Sequence, residues 1–153
     1  MALEIGQTAP DFALADQTGA TVRLSELTAE KPVVLVFYPF TFTGVCEGEL
    51  CALRDDISRY ENAGVQVVAV SCDSKFSQKK WAEEEGYNFP LLSDFWPHGA
   101  TAQAYGVFND ELGCAIRATF VIGTDGILVD VFTTDSLGTA READRYTAAL
   151  AKL

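Results

Sequence analysis

The chain is poor in histidine and in positive charge. His98 is its single histidine, and 11 lysines and arginines face 22 acidic residues, for a net charge of -11. Nucleic acid and anionic membrane surfaces both require concentrated Lys and Arg, so neither is expected as a partner. The acidity reads as a solubility feature. No apolar run reaches the roughly 18 residues of a membrane span. The opening Met1-Ala-Leu-Glu-Ile-Gly6 lacks the basic and apolar regions of a secretory signal, so a reducing, cytoplasmic setting is expected. Low-complexity stretches, internal repeats and linkers are also missing. What is present is 153 residues, 48% of them hydrophobic, enough for one domain over residues 1–153 with a real core.

There are four cysteines: Cys46, Cys51, Cys72 and Cys114. In a reducing compartment they suggest catalytic or redox roles rather than a disulfide framework. Zinc is the other standard reading. The chain has no paired C-x2-C, and its lone His98 follows a Trp-Pro turn signal. No metal and no cofactor is expected.

The elements follow from periodicity. Asp11–Leu14 and Thr21–Leu24 bracket Gln17-Thr-Gly19 and read as a hairpin. Ser25 is positioned to cap a short helical turn at Glu26 and Leu27. Val33-Val-Leu-Val-Phe-Tyr38 and Val65-Gln-Val-Val-Ala-Val70 are continuous β-branched and aromatic runs, suited to strands covered on both faces. Between them, Cys46–Asn62 carries Leu50, Leu53, Ile57 and Tyr60 at spacings of three and four, the pattern of one amphipathic helix ended by Ala63-Gly64.

A surface helix spans 74–85, capped by Asp73 or Ser74 and closed by Gly86. Phe89–Leu92 is a short apolar segment, and 99–105 a short helix. Ala115–Ile122 and Ile127–Thr133, joined by Thr124-Asp-Gly126, form a second hairpin, and 141–152 a terminal helix. Strands alternating with helices imply a parallel pair with a right-handed crossover, to which the late hairpin adds antiparallel strands. The expected class is α/β: a thioredoxin-like fold with a mixed central sheet flanked by helices and an N-terminal hairpin extension.

In this frame Pro39-Phe-Thr-Phe-Thr43-Gly-Val-Cys46 places a cysteine at the start of the helix after the first central strand. Helix N-termini favour the thiolate. The competing reading is a buried structural thiol, since free cysteines are among the most buried residues.

With these elements placed, the chain resembles a peroxiredoxin. The family pattern P-x3-[TS]-x2-C is met by Pro39, Thr43 and Cys46; Glu49 sits where members carry a polar helix residue, and Arg117 corresponds to their distant arginine. The opening Gly6-Gln-Thr-Ala-Pro10-Asp11-Phe12 is typical of the family. The segments Phe89-Pro-Leu-Leu-Ser-Asp94-Phe-Trp-Pro-His98-Gly-Ala100 and Tyr105-Gly-Val-Phe-Asn109 resemble the alkyl hydroperoxide reductase E group, commonly treated as one-cysteine enzymes. The chain departs from that group at Cys51. The string Cys46-Glu-Gly-Glu-Leu-Cys51 has the C-x4-C spacing of Q-type peroxiredoxins (bacterioferritin comigratory proteins), in which the second cysteine resolves the first.

The resemblance implies a thiol-dependent peroxidase for hydrogen peroxide and organic hydroperoxides. Cys46 would be the nucleophile, and helix amides and Arg117 would stabilise its anion and orient the peroxide. Thr43 would hydrogen-bond a peroxide oxygen, Pro39 would shield the site, and Glu49 would pair with and hold Arg117. Cys51 would form an intramolecular disulfide with Cys46, with a thioredoxin or a mycoredoxin or glutaredoxin-like protein as reductant and a homodimer as the assembly. Five residues of helix set the two Cα atoms about 8–9 Å apart, and a disulfide needs less than about 7 Å. The helix must therefore open, and Gly48 would ease this because glycine disfavours helix.

Each residue keeps a structural alternative. Pro39 ends a strand, Thr43 caps a helix, Glu49 is a solvated acid, Arg117 serves a structural salt bridge, and Cys51 fills a small core position. Cys72 reads as structural, and Cys114, in a turn region expected to be exposed, is a weaker resolving candidate. A one-cysteine cycle, a thioredoxin-type reductase and a thiol sensor are the competing functions. The reductase would want a cysteine where Glu49 stands, and the sensor would react once and stop.

Overall fold

A computed structural model describes residues 2–153; Met1, first residue of the opening read for a signal, lies outside them. Seven strands make one sheet in the order β2-β1-β5-β4-β3-β8-β9. They are β1 (Ala13–Ala15), β2 (Thr21–Arg23), β3 (Val33–Phe37), β4 (Gln66–Ser71), β5 (Leu91–Ser93), β8 (Ala118–Ile122) and β9 (Leu128–Thr133). A separate short pair joins β6 (Phe108–Asn109) to β7 (Cys114–Ala115). The predicted parallel pair is β3–β4, and β5 extends it in parallel; β8 runs antiparallel to β3 and turns into β9. Both runs read as covered strands are buried along nearly their whole length.

The helices are α1 (Leu24–Thr28), α2 (Gly44–Asp55), α3 (Ile57–Asn62), α4 (Lys75–Glu85), α5 (Ala100–Ala104) and α6 (Ala143–Leu150). Alternation along β3 splits the core. Val34, Val36 and Tyr38 pack with Cys46, Leu50, Leu53, Tyr60, Trp81 and Tyr146 on the α2 face. Val33, Leu35 and Phe37 pack with Phe12, Tyr105 and Phe120 on the other. Each such side chain contributes roughly 1.5–3 kcal/mol by leaving water.

Four sequence expectations change. The single helix over 46–62 breaks at Asp56 (φ -105°, ψ 11°) into α2 and α3. Adjacent Asp55 and Asp56 are weak helix formers, and Asp56 instead pairs with Arg59 at 3.0 Å in the next turn. The apolar stripe nevertheless carries across the break. The strand over 115–122 is also interrupted: β7 ends at Ala115, and Arg117 lies in a bend before β8. Ser25 does not cap α1; it lies inside it, and its N–H donates to Asp11 Oδ1 at 2.9 Å. Arg141, expected to open the terminal helix, precedes it. Ser74 does cap α4, accepting from the Ser77 N–H at 3.2 Å, and Gly86 ends that helix with φ 69°.

Candidate active site

β3 delivers the chain to Pro39, and the loop 39–43 returns it to α2. Thr43 stands at the N-cap in extended conformation, but its hydroxyl donates back to the Phe40 carbonyl at 2.6 Å rather than capping the helix. The first intrahelical bond runs from the Glu47 N–H to the Thr43 carbonyl at 2.8 Å. The amides of Gly44, Val45 and Cys46 are therefore unpaired within the helix, and Cys46 sits in this positively polarised first turn. Its side chain is fully buried.

Arg117 comes from the bend before β8, 71 residues away in sequence, and its Nη1 donates to Cys46 Sγ at 3.2 Å. The same Nη1 donates to Glu49 Oε1 at 2.7 Å, and its Nε to the Leu137 carbonyl at 2.6 Å. An arginine only 4% exposed is thus paired rather than orphaned. The expected group of Cys46, Arg117 and Glu49 is brought together, with Thr43 at the helix start and Pro39 buried at the end of β3.

Sequence reasoning missed Arg141. It is buried and donates to both oxygens of Glu49, to the carbonyls of Phe37 and Ala118, and to Thr119 Oγ1. Burial pushes the Glu49 carboxyl up, but the hydrogen bonds and charge of Arg141, with the charge of Arg117, outweigh it and hold the group below its ordinary range. No local signal marks Arg141, whose acidic partner is 92 residues away.

Cys51 lies elsewhere on α2. Five residues rotate it about 140° from Cys46. Its Sγ is 3.6 Å from both Glu85 Oε2 and Tyr87 Oη, at the C-terminal end of α4. Arg54 fastens the same end: its Nη1 donates to the Glu85 carbonyl and lies 4.0 Å from the Glu85 carboxylate. The neighbouring Glu47 carboxyl is pushed up by its hydrogen bond to Glu85 and by the charge of that group.

Cys114, expected to be exposed, is fully buried. Burial first, then the nearby Cys46 and Asp73 charges, push its thiol up. Cys72 is pushed up to about 12, by burial and then by Asp94. Among the described residues no helix is long and apolar enough to cross a membrane, and no group of three or more His, Cys, Asp or Glu is placed to hold a metal ion.

A model of the AhpC/TSA family matches residues 5–131. The alkyl hydroperoxide reductase E of Mycobacterium tuberculosis is 46% identical over 151 residues, covering 99% of this chain and 98% of that protein. A putative peroxiredoxin of Synechocystis is 38% identical over 152 residues, covering 93% of this chain and 74% of that protein. The crystal structure of peroxidoxin BcpB from Mycobacterium tuberculosis superposes with a TM-score of 0.86 at 37% identity, over 98% of this chain and 96% of that one.

Proposed function

The chain belongs to the AhpC/TSA family of peroxiredoxins, and from that premise we propose a cycle in which Cys46 takes the peroxide oxygen and Cys51 resolves the product. The protein is a thiol-dependent peroxidase, an antioxidant oxidoreductase on a thioredoxin-like α/β fold. The observation that carries the assignment to Cys46 is its contact with Arg117 at 3.2 Å in the first turn of α2. An arginine aimed at sulfur stabilises an anion there and stays charged throughout.

The Cys46 thiolate attacks the distal oxygen of a hydroperoxide in line with the O–O bond. That bond breaks, the sulfur becomes a sulfenic acid, and the leaving oxygen takes a proton and departs as water or alcohol. Arg117 and the free amides of α2 stabilise the charge as it moves from sulfur to oxygen. Thr43 supplies a hydroxyl to orient the peroxide, Pro39 shields the sulfur from water, and Glu49 and Arg141 hold Arg117. The Cys51 sulfur then attacks the Cys46 sulfur. The S–S bond forms, the S–O bond breaks, and the hydroxyl leaves with the Cys51 proton as water.

Hydrogen peroxide and organic hydroperoxides are the proposed substrates, and a cytoplasmic thioredoxin the proposed reductant of the disulfide. A second reading rests on the separation of Cys46 from Cys51 around α2 and on the 46% identity to alkyl hydroperoxide reductase E. In it the sulfenic acid is recycled by a mycoredoxin or glutaredoxin-like protein. A body like that group combined with the C-x4-C pair makes both cycles chemically open to one chain. The exposed rings of Phe42, Phe95 and Trp96 provide apolar surface for pairing two copies.

Steady-state peroxide consumption tests the proposal. Wild type turns over with thioredoxin, Cys46→Ser is inert, and Cys51→Ser stalls after one equivalent unless a mycoredoxin is supplied. Continued turnover of Cys46→Ser would remove Cys46 from its role.

A further inference from the structure

The loop that carries Pro39 and Thr43 is not self-supporting. Phe42, at its tip, has φ 66°, a left-handed conformation that a bulky side chain adopts at a cost. Such a residue persists only where its surroundings over-determine it. Its ring is half exposed and meets Trp81 with centroids 6.2 Å apart. The residue before it is tied down much more firmly. The Thr41 N–H donates to Asp73 Oδ2 at 2.9 Å, and Thr41 Oγ1 is 3.0 Å from the buried Tyr38 hydroxyl.

Asp73 is in turn fixed from two strands. Its Oδ2 also accepts from Ser71 Oγ at 2.7 Å, at the end of β4, and its carbonyl accepts from Ser93 Oγ at 2.7 Å, at the end of β5. Ser71 Oγ accepts from the buried Gln78 Nε2 at 2.9 Å, which links α4 to the same group. The loop's backbone is thus tied through the Thr41 amide to one carboxylate that is anchored to the sheet and to α4.

We propose that Asp73 is a positioning residue for peroxide attack: its carboxylate clamps the Thr41 amide and so holds the loop 39–43, with Phe42 in its left-handed conformation, in register with Cys46. The Asp73 carboxylate bonds Thr41 and Ser71, not the Cys46 sulfur. It acts through the placement of Thr43, whose hydroxyl is bonded within the same loop to the Phe40 carbonyl. The inference rests on Cys46 being the peroxide-reactive thiol, so a second reaction of Cys46, alkylation by iodoacetamide, which needs access to the buried sulfur but neither the Thr43 hydroxyl nor an O–O bond held in line, is followed beside the first.

Stopped-flow oxidation by hydrogen peroxide and alkylation are measured on wild type and on Asp73→Ala, Asp73→Asn and Asp73→Ala/Phe42→Gly. Misplacement of a reacting geometry by about an ångström costs on the order of 100-fold. Asp73→Ala is expected to lose roughly 10- to 100-fold in peroxide rate while its alkylation rate stays within about twofold of wild type. Asp73→Asn keeps an oxygen acceptor for the Thr41 N–H and retains most of the rate. Glycine adopts φ > 0 freely, so Phe42→Gly in the Asp73→Ala background recovers a large part of the loss. Equal losses in both reactions with no recovery from Phe42→Gly, or an unchanged peroxide rate in Asp73→Ala, overturn the proposal. Oxidation and alkylation read at position 46 by peptide mapping, absent in Cys46→Ser but present in Cys51→Ser, keep the Cys46 reading intact in either case. Amide hydrogen exchange on wild type checks the clamp without any substitution: the Thr41 N–H exchanges as slowly as the β3 amides, and exchange at the rate of an open loop contradicts it.

Discussion

Arg141 grips both oxygens of Glu49: Nη2 lies 2.8 Å from Oε1, and Nε lies 2.8 Å from Oε2. Oε1 also receives Arg117 Nη1 at 2.7 Å, and that same nitrogen points at Cys46. The position of the arginine at the sulfur therefore depends on a second arginine that makes no hydrogen bond to that sulfur. Replacing Arg141 by Met keeps roughly the volume but removes the three nitrogens that make five side-chain hydrogen bonds, and leaves Glu49 with one cation. Breaking a buried pair in this way costs about 3–5 kcal/mol. Urea unfolding should report that loss, and the peroxide rate should fall further than the change in folded fraction explains.

The Glu49 carboxyl, held below its ordinary 4.5 by arginine contacts that outweigh burial, makes stability depend on acid. A group whose folded value is depressed contributes fully above its unfolded value, and that contribution disappears as pH falls through the folded one. Wild type should exceed Glu49→Gln in stability at neutral pH, and the gap should begin to close below about pH 4.5. Denaturant midpoints for both proteins from pH 7 to pH 3 check this; a gap that stays constant counts against the ion-pair account.

Gly48 offers a clean test of helix opening. A Cβ built there meets nothing within 4 Å, so Gly48→Ala changes helix propensity and little else. Alanine favours the helix by roughly 1 kcal/mol, and disulfide formation should slow about fivefold while the oxidation of Cys46 keeps its rate. Equal disulfide rates in the two proteins would separate opening from the resolving step.

Arg54 works in the opposite direction, because it ties α2 to the end of α4 beside Cys51. A hydrogen bond from a charged donor contributes roughly 1.5–3 kcal/mol when well made. Arg54→Met releases this tie, and the Cys46–Cys51 disulfide should form at least about threefold faster. Rapid-quench alkylation followed by gel shift measures that step separately from the oxidation before it.

How far the site was legible in the sequence follows from where each partner lies. Cys46 and Thr43 were visible because a strand run, a proline and a helix stripe follow one another within a short stretch. Arg117 stood out as a charge among apolar residues, although it occupies a bend rather than a strand. Arg141 and Asp73 gave no such signal. Their bonds to Glu49 and Thr41 span 92 and 32 residues and exist only once the sheet has formed. The stripe Leu50, Leu53, Ile57 and Tyr60 correctly gave the buried face of α2 and α3, yet could not reveal the break at Asp56, because both helices turn that face to the same core. Cys114 looked exposed from its glycine-containing turn, yet it pairs with Asn109 in the β6–β7 ladder and its side chain is buried.

The proposed cycle turns on oxidation of Cys46 followed by intramolecular attack of Cys51. The most direct measurement is mass spectrometry of the reduced protein after one equivalent of hydrogen peroxide, with peptide mapping under non-reducing conditions. The expected result is loss of two hydrogens and a single cross-linked pair, Cys46 to Cys51, with Cys46→Ser unchanged and Cys51→Ser carrying one added oxygen on Cys46. A wild-type protein that keeps the added oxygen on Cys46, or that cross-links through Cys72 or Cys114, would contradict it.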